Sequence, residues 1–356
     1  MQNLFEPLTA GELKFKNRVV MSPLTRARAG ETRIPNDLMA EYYAQRASAG
    51  LIISEATAIS PMGYGWRNAP GIYTDEQTDG WRKVTDAVHQ KNGQIILQLW
   101  HMGRISHPDF LNGALPVAPS AIAAEGEARG LTGEKKSYVI PRTMTQSDIE
   151  ETIADFAAAA RRAIAAGFDG VQIHGANGYL IDQFLKEGSN QRTDKYGGSI
   201  ENRVRFLIEV CEAVALAVGA GRTALRLSAI NGYNSMNDDH LPELFAHVAR
   251  ELNTRQLAFI ELREPQSAQR VTPMMRENFK GILIGNDGYE LATAEAAITS
   301  GALDAVSFGQ KYIANPDLVE RFQRGAPLNE LDPKTSYNNG PEGYIDYPML
   351  PTTRAA

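Results

Sequence analysis

Eight short apolar, β-rich runs recur along the chain, most of them followed by a stretch of helical periodicity, and this repetition limits the fold more than any other feature. The runs are Arg18–Ser22, Leu51–Thr57, Gln94–Leu99, Asp169–His174, Thr223–Ser228, Leu257–Leu262, Gly281–Gly285 and Leu303–Gly309. Most are continuous rather than alternating, which suits strands covered on both faces. Between them, Ile149, Ile153, Phe156, Ala160 and Ile164 follow at helical spacing. Ser147-Asp148-Ile149-Glu150 predicts a capping box for that helix, and Gly167 predicts its end. Val204, Leu207, Cys211, Val214 and Val218 share one face of a second helix, as do Leu241, Leu244, Phe245, Val248 and Leu252 of a third. Pro316, after Asn315, is expected to open a last helix, where its missing N–H costs nothing.

Eight β/α repeats in one chain favour a closed (β/α)8 TIM barrel over an open doubly wound sheet. Such a barrel uses ~250 residues, so about a hundred of the 356 are left as decoration. Residues 1–17 are expected to form a hairpin across the barrel floor. Residues 103–146, rich in Gly, Pro and Ala, form an insert after strand 3 that is long for a connection and reads as a lid. A tail over about 325–356 carries Tyr337, Tyr344 and Tyr347 among turn residues. With no linker in sight, 1–356 reads as one domain.

Composition excludes several function classes. A formal net charge of -6 without any Lys/Arg block argues against nucleic acid or an acidic membrane as partner. No run approaches the ~18 apolar residues of a membrane span, and Met1-Gln2-Asn3-Leu4-Phe5-Glu6-Pro7 has no signal-peptide pattern. A cytoplasmic protein is expected. The single cysteine, Cys211, excludes an internal disulfide or a multi-Cys cluster. Its position on a helix face makes it a buried thiol. His89, His101, His107, His174, His240 and His247 make no metal-binding spacing, so no metal is expected.

In a barrel of this kind the chemistry sits at the C-terminal strand ends. Strand 1 ends in Ser22-Pro23-Leu24-Thr25-Arg26, strand 2 in Glu55-Ala56-Thr57-Ala58, and strand 3 in Gln98-Leu99-Trp100-His101. Strand 4 ends in His174-Gly175-Ala176-Asn177-Gly178-Tyr179, and strand 5 carries Arg226 and Ser228. Strands 7 and 8 end in Gly285-Asn286-Asp287-Gly288 and Phe308-Gly309-Gln310. Those last two are where barrels often bind phosphate through backbone N–H groups. His174 and Asn177 can both donate to one oxygen, and a tyrosine at Tyr179 can act as a general acid. Taken alone, His-x-x-Asn-x-Tyr is a weak signal and reads more readily as a satisfied core histidine beside a packing tyrosine.

Six stretches in order resemble the Old Yellow Enzyme family, in its N-ethylmaleimide-reductase-like bacterial branch. They are Asn17–Arg26, Gln98–Arg104, His174–Leu180, Asn190–Arg203, Ile313–Leu318 and Glu342–Pro348. The resemblance implies an ene-reductase with FMN held noncovalently at the barrel mouth. It implies that Pro23, Leu24, Thr25, Ala58, Gln98 and Arg226 surround the flavin. Asn286, Gly288, Gly309 and Gln310 would then meet its phosphate end. His174, Asn177 and Tyr179 would be catalytic, and Trp66, Trp100 and Tyr337 would shape the substrate pocket. NADPH, or NADH, would donate hydride to the flavin. An α,β-unsaturated carbonyl, a maleimide or a nitroalkene would receive it.

Two departures stand out. Many relatives carry Arg or Lys where this chain has Gln310, so a neutral amide replaces a charge-assisted phosphate contact. Asp287, beside the same loop, is expected to turn its carboxylate away, and Lys311 is expected to point elsewhere. The rival readings are a phosphate-substrate isomerase or aldolase barrel without flavin, and a flavin- or phenol-binding barrel without turnover. Monomer and homodimer both remain open.

Overall fold

A computed structural model describes residues 3–351 except 231 and 268; the last residues of the expected tail lie outside it. Eight parallel strands close into a barrel. They are β1 (Val19–Met21), β2 (Leu51–Ala58), β3 (Ile95–Trp100), β4 (Gly170–Gly175), β5 (Thr223–Leu227), β6 (Phe259–Arg263), β7 (Leu283–Asn286) and β8 (Ala305–Phe308). β8 returns to β1 through Val306–Val19 and Phe308–Met21 pairing, so no edge is left. Each strand falls within the run that predicted it or overshoots it by one residue. Almost every residue in them is buried, because side chains pack inside the barrel on one face and under helices on the other.

The helix Gln146–Ala165 shows how local chemistry sets an element. Its N-cap is Thr145 rather than the expected Ser147. The Thr145 hydroxyl accepts from the Asp148 N–H, and the Asp148 carboxylate accepts from the Thr145 N–H. A cap of this kind is worth about 1 kcal/mol. Ser147 lies inside the first turn instead, where its hydroxyl donates to Glu151. Ile149, Phe156, Ala160 and Ala163 then face the barrel, and Gly167, at φ 92°, ends the turn that follows. Pro316 likewise sits just before the last outer helix, Leu318–Arg324, which begins two residues later than expected.

The expected hairpin is present: Leu8–Ala10 pairs antiparallel with Leu13–Phe15. Ala10, Leu13 and Phe15 plug the barrel floor against Val20, Ile53, Ile96, Phe259 and Ala305, with Phe15 edge-to-face on Phe259 at 5.9 Å. The lid after β3 holds two short 3-10 turns and two small strand pairs, one of them the hairpin Glu127–Arg129 with Lys135–Ser137. It is seated on the barrel top by Met102, Ile105, Phe110 and Ala124, packed with Ala58, Tyr64 and Trp100. Buried Arg104 ties it to the loop after β5, donating to the Asn234 and Ser235 carbonyls at 3.2 Å. No described helix is long and apolar enough to cross a membrane.

Candidate active site

The lower half of the barrel interior is apolar, and the upper half is not. Above the floor, Gln98 donates to Gln172 at 2.8 Å, and Gln172 donates to Glu261 at 2.8 Å. Glu261 also accepts from Ser307 and Ser22, and pairs with Arg226 at 2.5 Å. Arg226 reaches Asn286 Oδ1 at 2.7 Å and Ser22 at 3.1 Å. Every side chain in this chain of contacts is buried. A buried carboxylate would be costly alone; here its oxygens are covered by an amide, two hydroxyls and a guanidinium. The guanidinium brings five N–H donors. Three are spent on these partners, and Arg226 with Gln98 lines the space above.

That space is a cavity of about 760 Å³ at the C-terminal ends of the strands, a size that suits one or two small ligands. Of the residues singled out in the sequence, Pro23, Leu24, Thr25, Gln98, Arg226, Asn286, Gly288, Gly309 and Gln310 line it. So do His174, Asn177, Tyr179, Trp66 and Tyr337. Ala58 does not. β2 bulges between Ile53 and Ala56 and runs past the rim, where Ala58 pairs with Trp100 and Gly71 and is fully buried. Ala56 is the alanine that faces the cavity. Trp100 is also withdrawn: it is buried and lies edge-on behind Tyr179, centroids 5.1 Å apart.

The turn after β4 gathers the three expected catalytic side chains. Asn177 takes the left-handed conformation at φ 60° and Gly178 follows at φ 77°. Asparagine tolerates that region, and at Gly178 a Cβ would also press on Asn234 and Met236 within 2.8 Å. The turn is held from below. The Gly178 N–H donates to the buried Asp182 carboxylate at 2.8 Å, and the Asn177 N–H donates to Ser228 Oγ at 2.7 Å. Lys186, buried beside Asp182 at 3.3 Å, donates to the Ser228 carbonyl.

Protonation follows from these surroundings. Burial, then the charges of Arg226 and Arg263, holds the His174 imidazole well below its ordinary range, so it is neutral. Its Nδ1 accepts from the Ala176 N–H at 3.4 Å, which leaves the proton on Nε2 as a donor. Burial pushes the Tyr179 hydroxyl above its ordinary value, so it stays protonated. His174 and Tyr179 meet edge-to-face at 5.0 Å. Tyr138 from the lid and Tyr337 from the tail lie near enough to act on Tyr179 electrostatically. Trp66 and Tyr337 face each other with centroids 5.5 Å apart.

Several residues that build the site were not found in the sequence. Glu261 and Gln172 read there as ordinary strand residues; their role depends on the register that sets Arg226 beside Glu261 and Gln98 beside Gln172. Arg263 ends β6, and the strand-end rule applied to that strand would have picked it out. It lines the cavity and pairs with Asp287 at 3.2 Å, so the Asp287 carboxylate is engaged by a cation on the rim. Lys311 lines the cavity but turns its ammonium to Glu290 at 2.6 Å.

Comparison with known proteins agrees with this geometry. Residues 3–329 match the sequence profile of the NADH:flavin oxidoreductase / NADH oxidase family. A probable flavin mononucleotide-dependent alkene reductase of Leishmania infantum is 46% identical over 98% of this chain and 97% of its own length. The crystal structure of an old yellow enzyme homologue from Zymomonas mobilis superposes with a TM-score of 0.96 at 46% identity, covering 98% of this chain and all of that one. Morphinone reductase in complex with tetrahydroNAD gives a TM-score of 0.96 at 45% identity over the full length of both chains.

Proposed function

This chain belongs to the NADH:flavin oxidoreductase / NADH oxidase family, that of the Old Yellow Enzymes, and from that membership we propose how its residues carry out the reaction. It is an FMN-dependent oxidoreductase of the ene-reductase type, which sets aside the flavin-free isomerase or aldolase reading. We read 1–356 as one FMN-binding unit that works in the cytoplasm.

The residues present fit FMN. Gly309 and Gly288 leave a cradle at one end of the cavity: a Cβ on Gly309 would stand 3.2 Å from the Leu24 side chain, and Gly288 holds φ 75°. Their backbone N–H groups suit a phosphate, with Gln310 beside them. At the other end, Gln98 and the Arg226 guanidinium suit the polar edge of a flavin ring, with Pro23, Leu24 and Thr25 along it. Asn286 serves mainly by holding Arg226. When bound, FMN supplies the hydride carrier that links a nicotinamide to the alkene.

The observation that carries the mechanism is the convergence of His174, Asn177 and Tyr179 on one cavity. His174 Nε2–H and the Asn177 amide together hold the carbonyl or nitro oxygen of an activated alkene. As the β-carbon takes hydride, negative charge grows on that oxygen, and two fixed donors in a partly dry site stabilise it. A neutral imidazole is suited to this role, since it donates without bringing its own charge. Tyr179, still protonated, supplies the proton to the α-carbon. Trp66 and Tyr337 set the width of the pocket, and Trp100 backs Tyr179. NADPH is the preferred donor in this reading, and comparing kcat/KM for NADPH and NADH tests it.

The principal experiment is a visible-spectrum titration of the purified protein with a para-substituted phenol. A yellow protein that gains a broad long-wavelength band has a phenolate stacked on flavin and held by His174 and Asn177. A yellow protein without that band overturns the oxygen site. A protein that stays colourless with added FMN overturns the assignment of the cavity to flavin.

A further inference from the structure

Arg263 stands at the end of β6 and is gripped on several sides. Its Nε donates to Asp287 at 3.2 Å and its Nη2 to the Tyr233 hydroxyl at 3.1 Å, while the guanidinium lies 4.5 Å from the Tyr233 ring centroid. From that fixed position Nη1 donates to Asn177 Oδ1 at 2.9 Å. This contact has a consequence for the amide. An asparagine side chain has one accepting and one donating end, and the two can exchange by rotation about χ2. Arginine can only donate, so whichever end faces Arg263 must be the oxygen. The NH2 then lies at the opposite end of the amide, in the same plane and turned away from Arg263.

We propose that Arg263 is a positioning residue that fixes the rotamer of Asn177, so that the substrate oxygen always meets the amide as a donor. The inference rests on the reading of Asn177 as an oxygen-binding donor. Without Arg263 the amide is able to turn its oxygen toward the substrate, which would repel the charge that develops there. Asp287 gains a purpose by the same argument: with Tyr233 it clamps the arginine. Arg263 also adds to the positive field that keeps His174 neutral, so its charge is felt at both members of the pair.

The test uses the FMN-loaded enzyme and the spectral titration with a para-substituted phenol, which reads ligand binding without turnover. Wild type, Arg263→Met, Asn177→Ala and the double variant are compared, with flavin content checked in each. Losing one charge-assisted hydrogen bond's worth of orientation weakens phenol binding roughly ten-fold in Arg263→Met. In the Asn177→Ala background the same substitution changes the Kd by less than about two-fold, because there is no amide left to orient. Arg263→Lys, which keeps a donor and the charge, recovers part of the affinity and serves as the readout if the methionine variant does not fold. Wild-type binding by Arg263→Met overturns the proposal, as does a loss that persists undiminished in the double variant, since Arg263 would then act on the ligand directly. Unchanged binding by Asn177→Ala would remove the oxygen-site reading itself, and the proposal with it.

Discussion

His101 and His174 are both buried, and both spend Nδ1 on a backbone N–H, Gly103 for one and Ala176 for the other. Burial pushes His101 down to about 3 and His174 well below its usual range. An unfolded chain titrates these imidazoles near ~6.5. Below that value the unfolded chain takes up protons that the folded one refuses. The stabilisation is therefore complete above pH ~6.5 and is lost as the pH falls toward the folded values. One pH unit below, each histidine removes on the order of 1 kcal/mol. Urea unfolding at about pH 7.5 and 5.5 should show this loss, and His101→Asn, whose amide oxygen can replace Nδ1, should shrink it by about one histidine's share. Equal pH sensitivity of the two proteins would show that His101 is protonated in the folded state.

The turn between β4 and the short helix Leu180–Leu185 is the element on which the proposed chemistry depends, and one buried carboxylate ties it to a buried ion pair. Asp182 is fully buried, accepts the Gly178 N–H and stands beside buried Lys186. Asp182→Ala leaves that ammonium without its anion in the interior and should cost about 3–5 kcal/mol, with a larger loss of phenol binding than of flavin binding. Asp182→Asn keeps the acceptor and should cost less. If the two variants unfold alike in urea, the charge rather than the turn contact is what matters. Such dependence marks the limit of what the sequence could tell. His174, Asn177 and Tyr179 were legible because they are neighbours in the chain at a strand end. Glu261 was not, because its role is set by the register that puts it beside Arg226 and within reach of Ser22 and Ser307. Arg263 could have been picked out at its strand end, but its hold on Asn177 could not, since that contact joins the ends of two separate strands. Ala58 misled because a bulge in β2 carries the strand past the rim, and nothing in Glu55-Ala56-Thr57-Ala58 signals it.

At the scale of the whole molecule, the barrel repeat was plain because each strand is a continuous apolar run, whereas the attachment of the tail was hidden in scattered arginines. Arg26 donates to the Ser336 and Gly343 carbonyls, Arg28 to those of Ser336 and Thr335, and Arg46 to that of Tyr344 while its other donors hold Tyr312 and Ile313 of the helix after β8. Tyr344 stacks on Tyr42 with centroids 4.0 Å apart and is fully buried. The same segment carries Tyr337 to the cavity. A C-terminal tail would ordinarily fray first, but here fraying would strip most backbone acceptors from two buried guanidiniums, Arg26 and Arg28, and one from Arg46. The cost of leaving such charges unpaired is several kcal/mol, comparable to the stability of a whole domain. The tail should therefore open only with the barrel. Hydrogen exchange gives the check: the Tyr344 and Ile345 amides, both bonded to the Pro341 carbonyl, should exchange as slowly as those of β3 and β4. Fast exchange there beside a protected barrel would mean that the arginines find other partners and that Tyr337 is a mobile gate rather than a fixed wall.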